Sequence, residues 1–248
     1  MVTKNELKSA LASLGVEKGM ILEVHSSLSS FGQLEGGALT VIDALKELVT
    51  EEGTLFMPAL RLSRELELTA QDRELGITVK IKVLGADAEK TAMGAVADTF
   101  RLLPDTLCGR DTISTAGWGK HAEEALKGGL DHAIHNGGKA LLLGVDIYKL
   151  TAMHYVEPAT PPDITAMFAT NEEINRIYPP DEWFIEAGHP PEKAWYKIQA
   201  MAYECGLVRE AQIGGCKAMF FDIWSVVSLY ENELKTDPYG LWGMERTL

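Results

Sequence analysis

Apolar residues along this chain come in two spacings. Nearly unbroken runs occur at Met20–His25, Thr54–Met57, Ala140–Val145 and Lys217–Phe221. Their length, and the Pro58 and Asp146 that stop two of them, predict strands buried on both faces. Elsewhere apolar residues recur every three or four positions. Leu7, Leu11 and Leu14 follow a Thr3-Lys4-Asn5-Glu6 capping box and precede Gly15, which predicts a first helix. Val41, Ile42, Leu45, Leu48 and Val49 predict a second helix, from about Ala38 to near Gly53. Further helices are expected over Thr91–Leu103, Lys120–Leu126 and Glu192–Cys205, and a last one bearing Ile223, Val226, Val227 and Leu229 behind an Asp222 cap. Leu207–Ile213 reads as a strand, with Gly214-Gly215 as a turn. Strand, helix, strand between Met20 and Met57 makes a βαβ unit. The expected fold class is therefore α/β, with a mostly parallel central sheet flanked by helices.

Two stretches break this rhythm. Residues 60–90 mix charges without a clean period and then alternate from Ile77 to Val83. Residues 158–190 are punctuated by Pro158, Pro161, Pro162, Pro179, Pro180 and Pro190, and carry Trp183. Both read as loop-rich insertions into a single α/β domain spanning residues 1–248, able to wall a pocket.

Composition narrows the function classes. No apolar run approaches the ~18 residues of a membrane span, and MVTKNELKSAL lacks the apolar stretch of a signal peptide. Three cysteines, Cys108, Cys205 and Cys216, form an odd set without metal-type spacing. They point to a reducing cytoplasm and read as structural thiols. A formal net charge of −13 argues against nucleic acid as a partner and favours a polycationic one, although acidity also serves solubility alone.

Candidate chemistry concentrates after the Ala140–Val145 run. His154 and Glu157 are three apart, so on a helix they share a face. Thr151 is placed to cap such a helix. His154 would then sit in its first turn, where the helix dipole favours a neutral imidazole, while Glu157 pulls the other way. A capped helix with a solvated Glu and a satisfied His is the competing reading. The second candidate is Ser26–Gly37, rich in serine and glycine and leading into a helix, as anion-binding loops do. It matches neither G-x-G-x-x-G nor the P-loop pattern. His25, beside it, either lines the cleft or is satisfied within its strand. His121, His132, His135 and His189 read as loop or helix-surface residues, and His132 with His135 lacks a third ligand, so no metal site is expected.

Taken together these stretches resemble the aminoglycoside 3-N-acetyltransferases. The resemblance rests on Val24-His25-Ser26-Ser27-Leu28-Ser29-Ser30-Phe31-Gly32 with Glu35-Gly36-Gly37-Ala38, on Gly53–Pro58, and on Thr91 with Met93-Gly94 and Phe100-Arg101. It continues through Ser114 to His121 and through Leu141–Val145 with Thr151, His154 and Glu157. It implies a cytoplasmic acetyl-CoA-dependent N-acetyltransferase acting on the 3-amino group of an aminoglycoside. The implied fold is the family's own, distinct from the common GNAT acetyltransferase fold. It places the acyl donor along Ser26, Ser27, Leu28 and Ser29, with Thr91, Phe100, Arg101 and Ser114 also on the donor side. It makes His154 the general base and Glu157 its acidic partner. Carboxylates suit an ammonium-rich acceptor. Asp181, Glu182 and Glu186 beside Trp183 are the first candidates, followed by Glu65 and Asp72. The chain departs from the family pattern at Arg110-Asp111 and at Gly128–Asp131, which keeps open an acyl-CoA N-acyltransferase for a different amine, or a non-catalytic CoA-binding protein.

Overall fold

The computed structural model describes residues 1–188 and 192–245. His189, Pro190 and Pro191, and with them the end of the second insertion, lie outside the described residues. The strands in chain order are β1 (Ile21–Ser26), β2 (Thr54–Pro58), β3 (Ile77–Lys82), β4 (Leu107–Cys108), β5 (Thr115–Gly119), β6 (Lys139–Leu143), β7 (Trp183–Ala187), β8 (Arg209–Ile213) and β9 (Cys216–Asp222). A seven-stranded sheet forms the centre, in the order β4-β5-β2-β1-β6-β9-β8. Only the middle is parallel: β1 pairs in parallel with β2 and with β6. The outer pairs, β2–β5, β4–β5, β6–β9 and β8–β9, are antiparallel. Connection length accounts for part of this. The Gly214-Gly215 turn between β8 and β9 is too short for the crossover that parallel strands require.

Side-chain alternation along the sheet splits the interior in two. Leu22, Val24, Leu141 and Leu143 face one core with helices Lys4–Leu14, Gly37–Val49 and Ala95–Arg101. Ala140, Leu142, Phe56 and Met219 face the other, with helices Leu130–His135, Ala194–Glu204 and Ile223–Thr236. Covering on both faces is why the central runs are unbroken and apolar. The Thr3–Glu6 capping box and the Asp222 cap form as the sequence indicates. The helix expected over Thr91–Leu103 is shorter, Ala95–Arg101, because Gly94 at φ +89° interrupts it.

Both irregular segments contribute to a second, two-stranded sheet. β3, from the first insertion, pairs antiparallel with β7, from the second. β7 went unread because prolines flank it and its residues are only partly buried.

Candidate active site

β1 and β6 end side by side, with Ser26 opposite Leu143 in register and the Ser27 N–H donating to the Leu143 carbonyl at 2.8 Å. There the chain parts. After β1, a 3-10 turn at Leu28–Phe31 carries Phe31 into the first core. After β6, turns at Ile147–Lys149 and Thr151–Tyr155 carry Ile147, Leu150, Ala152 and Met153 into the second. Such a divergence at the carboxyl ends of parallel strands opens a crevice.

His154 and Glu157 meet at its mouth. His154 Nδ1 lies 2.5 Å from Glu157 Oε2, with the two side chains 56% and 36% exposed. A hydrogen on Nδ1 donated to the carboxylate leaves the Nε2 lone pair facing outward, as a proton acceptor requires. Trp195 holds the ring edge to face, with centroids 4.8 Å apart. Beneath them Tyr230 is fully buried. Burial first, and then the Glu157 charge, push its phenol up to about 12.

Thr151 does not cap a helix. The segment is a five-residue 3-10 turn without a side-chain cap, and His154 lies in its last turn. The expected dipole effect at a helix N-terminus therefore does not apply. The turn is anchored by β1 instead. The Ala152 N–H donates to Glu23 Oε1 at 3.1 Å, and Thr151 N packs 3.3 Å from His25 Nε2. His25 is accordingly satisfied mainly by a side chain, with Glu23 Oε1 at 2.7 Å from its Nε2.

The five acceptor-side carboxylates do not form one cluster. β7 alternates, so Trp183 and Glu186 project to opposite faces. Burial pushes the Glu186 carboxyl above its usual range; Lys193 pulls against that, while Glu157 and Glu65 push with it. Glu157 and Glu65 thus both make a charge at Glu186 costlier. Asp181 and Glu182 are exposed in the turn before β7, and Glu182 pairs with Lys82 at 3.4 Å. Asp72 is removed from acceptor binding, being wholly buried. Its carboxylate caps the short helix Ala70–Glu74 through the Thr69 N–H, takes Lys80 at 2.9 Å and accepts from the Tyr178 hydroxyl. Burial alone would raise it, but those donors outweigh burial and hold it far below the carboxylate range.

On the donor side, Ser27 and Ser29 bring their hydroxyls within 3.2 Å, whereas Leu28 packs against the first core. Gly94 lets the start of helix Ala95–Arg101 pass close to the end of β1; a Cβ there would sit 3.5 Å from the Ser26 carbonyl oxygen. Asp98 gathers this corner, accepting from the Thr91 N–H and hydroxyl at 2.8 Å each and from Arg101 Nε at 3.1 Å. Thr91 and Asp98 line a cavity of about 730 Å³ with Ser63, Arg64 and Lys90. Phe100 is a correction: it is fully buried in the first core and cannot touch a donor. Arg101 is turned inward, 9% exposed. The Ser114 hydroxyl donates to the Ala59 carbonyl at 3.1 Å. Arg110 and Asp111 are exposed.

Burial pushes the Cys108 and Cys216 thiols up, away from the nucleophilic thiolate. Cys205 is exposed at the end of helix Ala194–Glu204. His132 is only half-buried on its helix, but its ring packs against His121 at 4.6 Å. Among the described residues no three His, Cys, Asp or Glu side chains converge as a metal site would need.

Sequence reasoning missed Asp98, Trp195, Tyr230 and Glu23. Only Glu23 carried a visible signal, as a carboxylate inside an apolar strand run.

Comparison with known proteins bears on the family and the fold. Residues 24–235 match the family model described as aminoglycoside 3-N-acetyltransferase. Similar curated proteins include the SPbeta prophage-derived aminoglycoside N(3')-acetyltransferase-like protein YokD of Bacillus subtilis (strain 168). It is 33% identical over an alignment of 187 residues that covers 64% of this chain and 66% of that protein. Aminoglycoside N(3)-acetyltransferase III of Salmonella sp is 32% identical over 185 residues, 63% of this chain and 60% of that protein. The matched stretch thus covers slightly less than two thirds of either relative. Among solved structures, the apoenzyme of aminoglycoside acetyltransferase AAC(3)-IVa superposes with a TM-score of 0.70 at 23% identity, over 96% of this chain and 90% of that one. AAC-IIIb in binary complex with CoASH superposes at 0.66 and 20% identity, over 94% and 96%. The fold is that of these enzymes and not the common GNAT fold. With the family pattern running from the second half of β1 into the last long helix, this chain belongs to the aminoglycoside 3-N-acetyltransferase family.

Proposed function

We propose that this protein transfers an acetyl group from acetyl-CoA to the 3-amino group of an aminoglycoside, by direct transfer with His154 as general base. The observation that carries the reading is the exposed His154–Glu157 pair, set beside Glu186 and Glu65 where β1 and β6 diverge. An aliphatic amine is largely protonated at neutral pH and must lose a proton before it attacks a thioester. Once that ammonium proton has gone to solvent, the free amine attacks. His154 Nε2 takes the second proton from the nitrogen as the C–N bond forms and hands it to the sulfur as the C–S bond breaks, so that the neutral amide and free CoA thiol leave. Glu157 holds the ring and stabilises the transient imidazolium. The carbonyl oxygen gains charge, and the Ser27 and Ser29 hydroxyls with the backbone N–H groups of the Leu28–Phe31 turn are the donors nearest in sequence to supply it.

Support from relatives is of two kinds. AAC-IIIb has been solved with CoASH, and AAC(3)-IVa with apramycin. Here the Ser-rich loop and the 730 Å³ cavity, lined by Arg64, Lys90 and Thr91, provide hydroxyls and cations suited to a phosphorylated donor. On the acceptor side, Glu65, Glu157 and Glu186 supply negative charge for ammonium groups, with the β3–β7 ribbon as the wall. The work belongs in the cytoplasm, where the three cysteines stay reduced; no described helix is long and apolar enough to cross a membrane.

A second reading is acyl transfer to a different amine, such as an amino sugar with fewer ammonium groups. Lys193 favours it, because it offsets part of the charge at Glu186. Release of CoA thiol from acetyl-CoA against a panel of aminoglycosides and simpler amines decides between them. Turnover confined to the simpler amines replaces the first reading with the second, and CoA binding without any turnover removes both.

A further inference from the structure

We propose that Glu23 and His25 are positioning residues, which hold the N-terminus of the Thr151–Tyr155 turn and so fix where His154 points. The inference rests on the reading of His154 as the base. Glu23 is wholly buried in the central strand, level with Phe56 on β2 and Ala140 on β6. It is two residues from His25, so both side chains project to the same face of the sheet, the face on which the turn sits. The leading N–H groups of a helical turn find no acceptor within it and need one from outside. Elsewhere in this chain a side chain of the cap residue itself does this, as at Thr3, Asn171 and Asp222. At this turn the cap residue is Leu150 and offers nothing. An acceptor comes instead from β1: Glu23 Oε1 takes the Ala152 N–H, 129 residues away in sequence. His25 Nε2–H donates to the same oxygen at 2.7 Å and locks it in place, with Thr151 N 3.3 Å from that ring nitrogen.

The second oxygen of Glu23 argues that this arrangement does not serve stability. Among the described residues, Oε2 is buried without a partner. A half-satisfied carboxyl at the centre of a sheet is poorer for stability than an apolar side chain of similar size. What Glu23 supplies is a fixed point. His154 lies two residues beyond Ala152, is more than half exposed, and is otherwise steadied by Glu157 and the Trp195 ring. A shift of the turn would carry its imidazole off the reacting amine, and misplacement by an ångström is costly in rate.

The test compares Glu23→Leu, Glu23→Gln and His25→Leu, each alone and combined with His154→Ala. Readouts are kcat and KM, thermal midpoint, and amide hydrogen exchange across residues 150–154. Glu23→Leu is expected to lower kcat about 10-fold with KM within about twofold, a split that a positional role predicts. Its midpoint should equal or exceed that of the parent. Exchange at Ala152 should speed up about 10-fold, and His25→Leu, which frees the Glu23 carboxyl, should speed exchange at the same amide. Glu23→Gln keeps a carbonyl for the Ala152 N–H and should recover most of kcat. Combined with His154→Ala, neither apolar variant should lower the residual rate further. The proposal is overturned by unchanged exchange and kcat in Glu23→Leu, by a loss of kcat that tracks a loss of stability, or by an undiminished effect in the His154→Ala background. Full activity of His154→Ala alone sinks the base assignment instead, and exchange at Ala152 then still decides whether β1 anchors the turn.

Discussion

Asp72 and Glu186 are both acidic side chains of the two-stranded ribbon lobe, yet they sit in opposite environments. Asp72 belongs to the packed side with Lys80, Tyr178 and Trp183. Lys80 reaches the Asp72 carboxylate and the Tyr178 hydroxyl at 2.9 Å each, and the Tyr178 and Trp183 rings meet at 5.2 Å. Glu186 belongs to the other side, where Glu157 and Glu65 crowd it and Lys193 is the opposing charge. Donors hold the first carboxyl ionised far into acid; burial pushes the second towards neutrality. The lesson is that a buried carboxylate with every oxygen served reports on folding, while one raised by burial, with like charges adding to it, is a candidate partner for a cationic ligand. On the proposed function, one side carries stability and the other chemistry.

The largest expected effect tests the chemical side. His154→Ala should lower kcat/KM about 10³-fold, roughly 4 kcal/mol of transition-state stabilisation, without lowering the thermal midpoint. A small loss would hand proton transfer to another group. Next comes the packed side. Asp72→Ala leaves Lys80 buried without its ion pair and should cost about 3 kcal/mol by urea denaturation, with kcat within about twofold of the parent. Because the Asp72 carboxyl is depressed in the folded state, its contribution is fully present above the ordinary carboxylate pKa and is lost as pH falls towards the folded value. The gap between the two proteins should therefore be full at pH 6 and narrow below about pH 4. A gap that does not depend on pH would contradict the ion-pair account.

Glu186→Gln should have a more modest effect, raising KM for a polycationic amine about 10-fold, or 1.4 kcal/mol, with little change in kcat. The Glu186 carboxyl is raised, so it is neutral on the acid side and charges only as pH climbs through that raised value. Acceptor KM in the parent should fall along that limb, and the variant should flatten it. A parallel pH profile in the variant would leave Glu186 outside the binding site. Smallest of all is Glu182→Gln, which breaks an exposed pair with Lys82 and should change stability by no more than about 0.5 kcal/mol. An increase in KM as large as that of Glu186→Gln would move the acceptor to the Asp181–Glu182 turn and erase the contrast between the two sides.

Much of the central sheet was legible because its signals are local. Ala140–Leu143 is apolar at every position since both faces are covered, and Thr3–Glu6 caps a helix with its own side chains. What escaped depends on partners distant in sequence. β7 cannot be distinguished from a loop until β3 lies beside it. Asp181, Glu182 and Glu186 look like one cluster in the sequence, but a strand sends neighbours to opposite faces. Thr151 has the right residue type for a cap, yet Glu23, held by His25, accepts for that turn from another strand. Phe100 fell into the donor set by its place in the family pattern, while the helix turns it into the core. His154 and Glu157 were found because their contact spans three residues, a distance the sequence can display.

The β3–β7 ribbon also bears on how the protein reaches its native form. Lys82 and Glu182 are joined across 100 residues of chain, with β4, β5 and β6 of the central sheet between them. Bringing such distant segments together carries a loop-closure cost that only a compact intervening body can reduce. During synthesis, β1, β2 and β6 emerge before β7, so the parallel heart of the sheet can assemble while the ribbon is still a single strand. The ribbon is then a late structure laid against an existing platform, and if it is the acceptor wall proposed above, the cleft gains its selectivity only after the Thr151–Tyr155 turn has its place.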